Sequence, residues 1–375
     1  MVWFGLDNSV KNSTVSWVIM FSLLSLLLWA VALLLLFVTF VPMLNTSAWW
    51  VRAMDFPRLQ IAALGVIVLI AALFMPGPGR VAIPLMMLVV CGYQLWRILP
   101  YTPVFRPELK LAADHPDALR ILAANVLMEN DRHADLLGII ERFDPDILLL
   151  METDQAWTDA LGPALARYST VLREPRDDHY GMVFATRLEV QQARIMHLTR
   201  DDTPSVFAQM TGPGGVPFRF VGLHPKPPVP GQDTRDRDAQ IHYAARFARK
   251  SGVPLIAAGD FNDVAWSDTS QTFKHVGQYL DPRIGRGLLS SFDANKFWLR
   301  FPIDQFYVTE DTAVVSIQRL DFFGSDHFPM AAKVRLDPVL AARLNGTPRP
   351  ISADEQALIE DTVRRTRQAL GHAEI

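Results

Sequence analysis

Three apolar stretches dominate the first hundred residues. Val15–Val41 runs 27 residues without a charge, and Leu59–Met75 and Val81–Ile98 follow, separated by Pro76-Gly77-Pro78-Gly79-Arg80. About 20 apolar helical residues cross the roughly 30 Å hydrocarbon core of a bilayer. The first run exceeds that length and the other two lie near its lower limit. The Pro/Gly cluster breaks the chain and predicts a tight helical hairpin. A cleaved signal peptide has an apolar core of only about 7–15 residues, so the first run reads as a span instead. Residues 1–100 are therefore expected to form about three transmembrane helices, over 15–41, 59–75 and 81–98. Trp49 and Trp50, beside Arg52, have the character of interfacial anchors or, alternatively, of core aromatics in a small extramembrane loop.

Beyond Pro100 the pattern changes. Pro103 and Pro107 mark an extended linker over 101–118. Leu119–Val126 reads as a buried strand, His133–Phe143 places Leu136, Leu137, Ile140 and Phe143 on one helical face, and Ile147–Met151 is a second apolar strand. Strand, helix and strand within some 30 residues indicate an α/β layer. Further short strands are expected at Gly181–Ala185, Val206–Met210, Phe218–Leu223, Pro254–Ala258, Ile303–Val308 and Met330–Leu336, with a helix over Asp236–Lys250. Many strands and few helices predict an α/β (α+β) four-layer sandwich over 119–337: two packed mixed sheets flanked by helices. Over 338–375 a tail follows, in which Ser352-Ala353-Asp354-Glu355 is a capping box opening a helix to about Leu370. That helix is expected as a polar surface appendage.

Charge separates the two parts further. Of the chain's 36 basic and 39 acidic residues, all but five basic and two acidic lie beyond Pro100, which leaves that part a net −6. A tight, sequence-independent binder of nucleic acid carries a basic excess that displaces counterions, and this part does not. Cys91 is the only cysteine, which excludes a disulfide framework and a thiolate metal site.

Polar side chains with metal and proton chemistry fall where the strands end: Asn125, Glu152, His224, Asp260, Asn262, Asp304, and the pair Asp326-His327. Strand ends on one edge of a sandwich converge, so these residues are expected to line one cleft. In this order, the segments AANV, LLLMETD, GLHPKP, AAGDFND, FPIDQF and GSDHFPM resemble the endonuclease/exonuclease/phosphatase superfamily, nearest its deoxyribonuclease-like and sphingomyelinase-like members. The resemblance covers about Leu119–Leu336. It is carried most specifically by Gly259-Asp260-Phe261-Asn262 and Gly324-Ser325-Asp326-His327.

The resemblance implies a phosphoesterase, phosphodiesterase-like, that uses Mg²⁺ or Mn²⁺. It implies Glu152 as the principal metal ligand, with Asn125 and Asp326 contributing to the same site. Asp260 would orient or deprotonate the attacking water, Asn262 would donate to phosphoryl oxygens, and His327 would contact the scissile phosphate with Asp304 fixing its tautomer. His224, at a position where apurinic endonucleases carry tyrosine, would protonate the leaving oxygen. Gln305 departs from the histidine that many members carry after the strand aspartate. His179 lies in the region of substrate contacts, Gly181 is expected to serve close strand packing, and Asp263 reads as part of a turn.

The implied substrate is a phosphoester: a lipid head group, a small phosphorylated metabolite or, as an alternative, DNA or RNA. A non-enzymatic, membrane-anchored binding module is the competing class. The sequence identifies no protein partner. It places the chain in the inner (plasma) membrane as a multi-pass protein and leaves the side of the soluble domain open. Counting Arg52, Arg58, Arg97, Arg106 and Lys110 against Lys11 and Arg80 favours the cytoplasm, whereas similar membrane proteins hold such domains outside.

Overall fold

The computed structural model describes residues 7–199, 203–249 and 252–370. It divides into two compact units, one made of the chain up to Thr46 with Pro57–Leu99, the other of Ser47–Phe56 with the chain from Pro100 onward.

The first unit holds helices α1 (Asp7–Phe40), α3 (Arg58–Ala72) and α4 (Gly79–Ile98), while the short α2 (Trp49–Ala53) belongs to the second. Leu28, Ala32 and Leu35 of α1 pack with Ile61, Val68 and Ala72 of α3 and Ile83, Met87 and Val90 of α4. Outward-facing positions are also apolar, among them Leu26, Leu27, Ile67, Ile70, Leu85 and Leu88, all exposed. Helices apolar on every face suit a surrounding of hydrocarbon better than water. One buried polar chain ties all three helices together: Arg58 Nη1 donates to Gln94 Oε1 and Gln94 Nε2 donates to Thr39 Oγ1, each at 3.0 Å. Ile19–Met43 and Gly79–Tyr101 are long and apolar enough to cross a membrane, and Arg58–Ala72 is shorter. Its 15 residues rise about 22 Å. Among the described residues α3 is the shorter helix because Leu73–Met75 leave it to enter the turn at Pro76–Pro78.

In the second unit the elements run β1 (Leu119–Asn125), α5 (His133–Phe143), β2 (Ile147–Met151), α6 (Gln155–Ala160), α7 (Gly162–Leu165), β3 (Thr170–Glu174), β4 (Met182–Thr186), β5 (Glu189–His197), β6 (Pro204–Thr211) and β7 (Pro217–Leu223). There follow α8 (Arg235–Arg249), β8 (Leu255–Asp260), α9 (Asp268–Gly277), β9 (Tyr279–Leu280), β10 (Asp304–Thr309), β11 (Ala313–Arg319), β12 (Met330–Arg335), α10 (Pro338–Leu344) and α11 (Ala353–Leu370). Lys250, the expected end of α8, and the tail beyond Leu370 lie outside the described residues.

Two six-stranded sheets form, in the orders β11-β12-β1-β2-β4-β3 and β5-β6-β7-β8-β10-β9. Both are mixed: β1 runs parallel to β2 and β7 parallel to β8, with antiparallel pairs around them. Ile121, Leu149 and Phe184 of one sheet meet Val206, Phe220, Ile256 and Phe306 of the other in a shared core. Leu136, Ile140 and Trp157 cover the outer face of the first sheet, and Ile241, Phe273 and Val276 that of the second. This is the expected four-layer sandwich.

The linker and the tail are both packed. Tyr101 donates to Ala265 O at 2.8 Å, and Leu109 joins the shared core. The capping box forms as predicted: Ser352 N donates to Glu355 Oε2 (2.9 Å) and Glu355 N to Ser352 Oγ (3.1 Å). The helix it opens lies against α8 and α9, so α11 is more than the surface appendage expected of it.

Candidate active site

Parallel pairing of β1 with β2 sets Asn125 beside Met151, which brings Glu152, the next residue, to the same sheet edge. Glu152 takes a left-handed backbone (φ 61°), an unusual conformation for a non-glycine residue that turns the chain off the strand. Asn125 Nδ2 donates to Glu152 Oε1 at 2.7 Å. In the second sheet, the antiparallel register of β8 and β10 sets Asp260 opposite Asp304. The sheets meet at these ends: Asn125 Nδ2 is also 3.2 Å from Asp260 Oδ2, and Asp260 N donates to Met151 Sδ at 3.2 Å.

Close backbone approach makes this convergence possible. Gly259 sits at φ 136°, and a Cβ there would overlap Leu223 O on the neighbouring strand. Gly181 packs against Thr153 in the same way, as expected, since a Cβ would overlap the Thr153 carbonyl. After Asp260 the chain turns at Asn262 (φ 47°), whose N–H donates to Asp260 Oδ1 at 2.8 Å and whose Nδ2 donates to Pro225 O at 2.9 Å.

His327 is buried with Nδ1 at 2.7 Å from Asp304 Oδ2, and its Nε2 faces Asp260 Oδ2 at 3.6 Å and Asp326 Oδ1 at 3.9 Å. A carboxylate on Nδ1 fixes the tautomer and leaves Nε2 to carry the second proton toward the cleft. His224 closes the other side, its Nε2 4.0 Å from Glu152 Oε1 and 3.9 Å from Asp260 Oδ2. His179 Nδ1 lies 3.2 Å from Glu152 Oε2, so this half-exposed histidine is part of the rim. All eight expected site residues are thus at one end of the sandwich.

Electrostatics sort the imidazoles. Burial, then the neighbouring His327, pushes His224 down to about 3, so it is neutral near pH 7. Burial opposes the charge on His327 as well, but Asp304, Asp260 and Asp326 outweigh it and raise that imidazole to about 10. Burial raises Asp260 above the usual carboxylate range against the lowering effect of His327.

The donor set fits a hard divalent cation. Asp326 Oδ1 and Asp304 Oδ1 are buried without a hydrogen-bond partner among the described residues, and Glu152 adds further oxygen donors, whereas Asn125 turns its NH2 to Glu152 and its amide oxygen accepts from Leu127 N at 3.1 Å. Asp260, Asp304 and His327 form a potential ligand group, their ligand atoms within 4.8 Å of one another. In that group, however, Asp304 is committed to His327, which is the geometry of a hydrogen-bonded dyad. The oxygen-rich Glu152 side is better suited to Mg²⁺ or Mn²⁺.

Several supporting residues carried no sequence signal of their own. Ser325 Oγ donates to Asn125 O (2.8 Å) and accepts from His327 N (3.0 Å), joining the two halves of the site. Its place between Gly324 and Asp326 was the only hint. Asp263, expected in a turn, is a buried anchor that accepts from Ser267 and from Ser270 Oγ (2.9 Å). Gln305 Nε2 donates to Asp263 O at 2.7 Å, so the residue that departs from the common histidine is structural here.

Two mixed sheets with acids, amides and imidazoles clustered at their strand ends define an α/β sandwich of the phosphoester-hydrolase kind. The chain belongs to the Endonuclease/Exonuclease/phosphatase family, whose model matches residues 122–327. No curated protein sequence matches the chain. Similar solved structures include the human nocturnin catalytic domain with bound sulfate, at 17% identity and TM-score 0.47, covering 61% of this chain and 99% of that one. TDP2 of D. rerio, complexed with a single-strand DNA product, is similar at 16% identity and TM-score 0.48, with 58% and 99% covered. A Bacteroides thetaiotaomicron mannosyl-6-phosphatase is similar at 19% identity and TM-score 0.46, also with 58% and 99% covered.

Proposed function

We propose that the chain is a membrane-anchored, divalent-metal-dependent phosphodiesterase. The observation that carries this reading is the meeting of Asn125, Glu152 and Asp260 at two sheet ends, with the Asp304–His327 dyad directed at Asp260. Glu152 and Asp326 would hold Mg²⁺ or Mn²⁺, with Asn125 Nδ2 orienting Glu152; a bound ion neutralises phosphate charge and makes water more acidic.

Asp260, held by Asn262 N–H and Asn125 Nδ2, takes the proton of the attacking water. Asn262 and His327 Nε2 donate to phosphoryl oxygens as charge grows on them. Asp304 keeps the imidazole turned so that Nε2 is the donor. His224 enters as a neutral N–H donor toward the leaving oxygen instead of the proton source expected from the sequence, because its burial disfavours the imidazolium.

Anchoring is supported by the two long apolar helices and their outward apolar faces. The acidic balance of the chain beyond Pro100 favours a lipid head group or a small phosphorylated metabolite over polymeric nucleic acid as substrate. Turnover of bis-p-nitrophenyl phosphate and p-nitrophenyl phosphate by the full chain with Mg²⁺ tests the assignment. Faster hydrolysis of the diester supports it, and a clear preference for the monoester overturns the diester reading.

A further inference from the structure

The segment that joins α1 to α3 is built into the catalytic unit. Ser47 O accepts from Thr234 N at 2.8 Å and Ala48 bridges Asp233, which fixes this segment to the start of α8. At its other end Asp55, itself buried, accepts through its carbonyl from Trp266 Nε1 at 2.7 Å. Trp266 lies four residues beyond Asn262. Phe56 meets the edge of Phe301 with ring centroids 5.6 Å apart, in an apolar cluster that also holds Tyr101, Val264, Trp266 and Phe292.

From here two routes lead to catalytic groups. Along the first, buried Arg237 donates from Nη1 to the Asn262 carbonyl at 3.2 Å and lies 3.4 Å from Asp263 Oδ1, while Nη2 donates to Asp238 at 2.9 Å. Burial works against that guanidinium, but Asp238, Asp263 and also Asp55 hold it charged, above the ordinary arginine value. Along the second route, Phe301 pairs through its backbone with Phe292, whose ring lies 4.9 Å from the His327 ring.

We propose that Ser47–Phe56 is a positioning element of the catalytic cleft: the Asp55 carbonyl holds Trp266, four residues past the left-handed turn at Asn262 that Arg237 braces, while Phe56 holds the Phe301–Phe292 pair against His327. The inference rests on the roles given above to Asn262 and His327. None of these holding groups touches substrate. They act by fixing the donors that do, and a misplacement of about 1 Å at such a donor costs up to about 100-fold in rate. The catalytic unit accordingly begins at Ser47 and not at the linker after Pro100.

The test uses the full chain in detergent micelles, with Phe56→Ala, Trp266→Phe, which removes the donor to the Asp55 carbonyl, Arg237→Gln and the conservative Arg237→Lys. With Mg²⁺ and bis-p-nitrophenyl phosphate, the first three variants lower kcat by about tenfold or more while KM stays within about twofold, and Arg237→Lys recovers part of the loss. Hydrogen–deuterium exchange reads positioning without requiring turnover. Peptides covering 259–264 and 324–328 exchange faster in Phe56→Ala and Trp266→Phe, while 147–151 and 204–211 do not change. Folded variants with parental kcat, or exchange that rises uniformly over the unit, overturn the proposal. If the parent chain hydrolyses none of the phosphoesters tried, the proposed function fails and the exchange pattern decides this inference alone: a local rise supports it, and no change or a uniform rise sinks it.

Discussion

At the scale of single residues, the Asp304–His327 pair is where geometry and rate connect most directly. Asp304 contributes one oxygen to His327 Nδ1 and touches no part of the cleft that a phosphate would occupy through that oxygen. Its removal therefore changes orientation before it changes binding. Asp304→Asn, which keeps size and shape but no longer demands the Nδ1–H tautomer, is expected to lower kcat about 100-fold with KM little altered. Steady-state kinetics on the full chain measures both, and an equal loss in both parameters would assign Asp304 a binding role instead. The convergence of the candidate side chains was largely legible in the chain, because each lies at an end of an apolar strand, closing or following it as Asn125 and Glu152 do or opening or preceding it as Asp304 and His327 do, and each of the two signature segments is a contiguous run. What was not legible is how the groups are held. Ser325, Arg237 and Phe292 act across gaps of tens to hundreds of positions, and their local sequence says only that they are polar or aromatic. The neutrality of His224 was equally hidden, since it follows from burial that only packing creates.

At the scale of elements, strands buried on both faces announced themselves and edge strands did not. β2 (ILLLM) and β8 (LIAAGD) are buried throughout, and both appeared as apolar runs. β5 (EVQQARIMH) closes one sheet, is exposed or half-buried along its length and mixes polar with apolar residues, so no periodicity marked it. β3 at the edge of the other sheet is similarly mixed and half-buried, whereas β9, both residues buried, is too short at two residues to leave a pattern. α9 lacked a strong apolar pattern, although Ser267 caps it by accepting from Ser270 N at 3.0 Å. The capping box of α11 shows the opposite case, a local signature that forms as written. Ser352→Ala removes one half of it and is expected to destabilise the start of α11 by about 1 kcal/mol. Hydrogen exchange at 353–356 would report the fraying, and turnover should not change. A rise in exchange over α8 and α9 as well would show that the cap also secures the packing of α11.

At the scale of the whole molecule, a unit of apolar helices and a catalytic sandwich share one chain, and their boundary is not where composition changes. Charge and hydropathy shift near Pro100, yet Ser47–Phe56 folds with the sandwich and Tyr101 and Leu109 are buried within it. Composition reports solvent preference, and a ten-residue segment between two apolar helices has the same composition whether it is free or docked. The proposed anchoring by α1 and α4 predicts that the full chain stays with membranes after an alkaline carbonate wash and is released by detergent; release by carbonate alone would contradict it. The central claim is metal-dependent phosphoester hydrolysis at the Glu152–Asp260–His327 site. Its most direct test is turnover of bis-p-nitrophenyl phosphate by the full chain in detergent with Mg²⁺, with Mn²⁺ and with a chelator, beside the variant His327→Ala. The account predicts turnover with either metal, its loss on chelation with recovery on adding metal back, and a fall of about 100-fold or more in the variant. Turnover that survives chelation, or a folded His327→Ala chain as active as its parent, would contradict it.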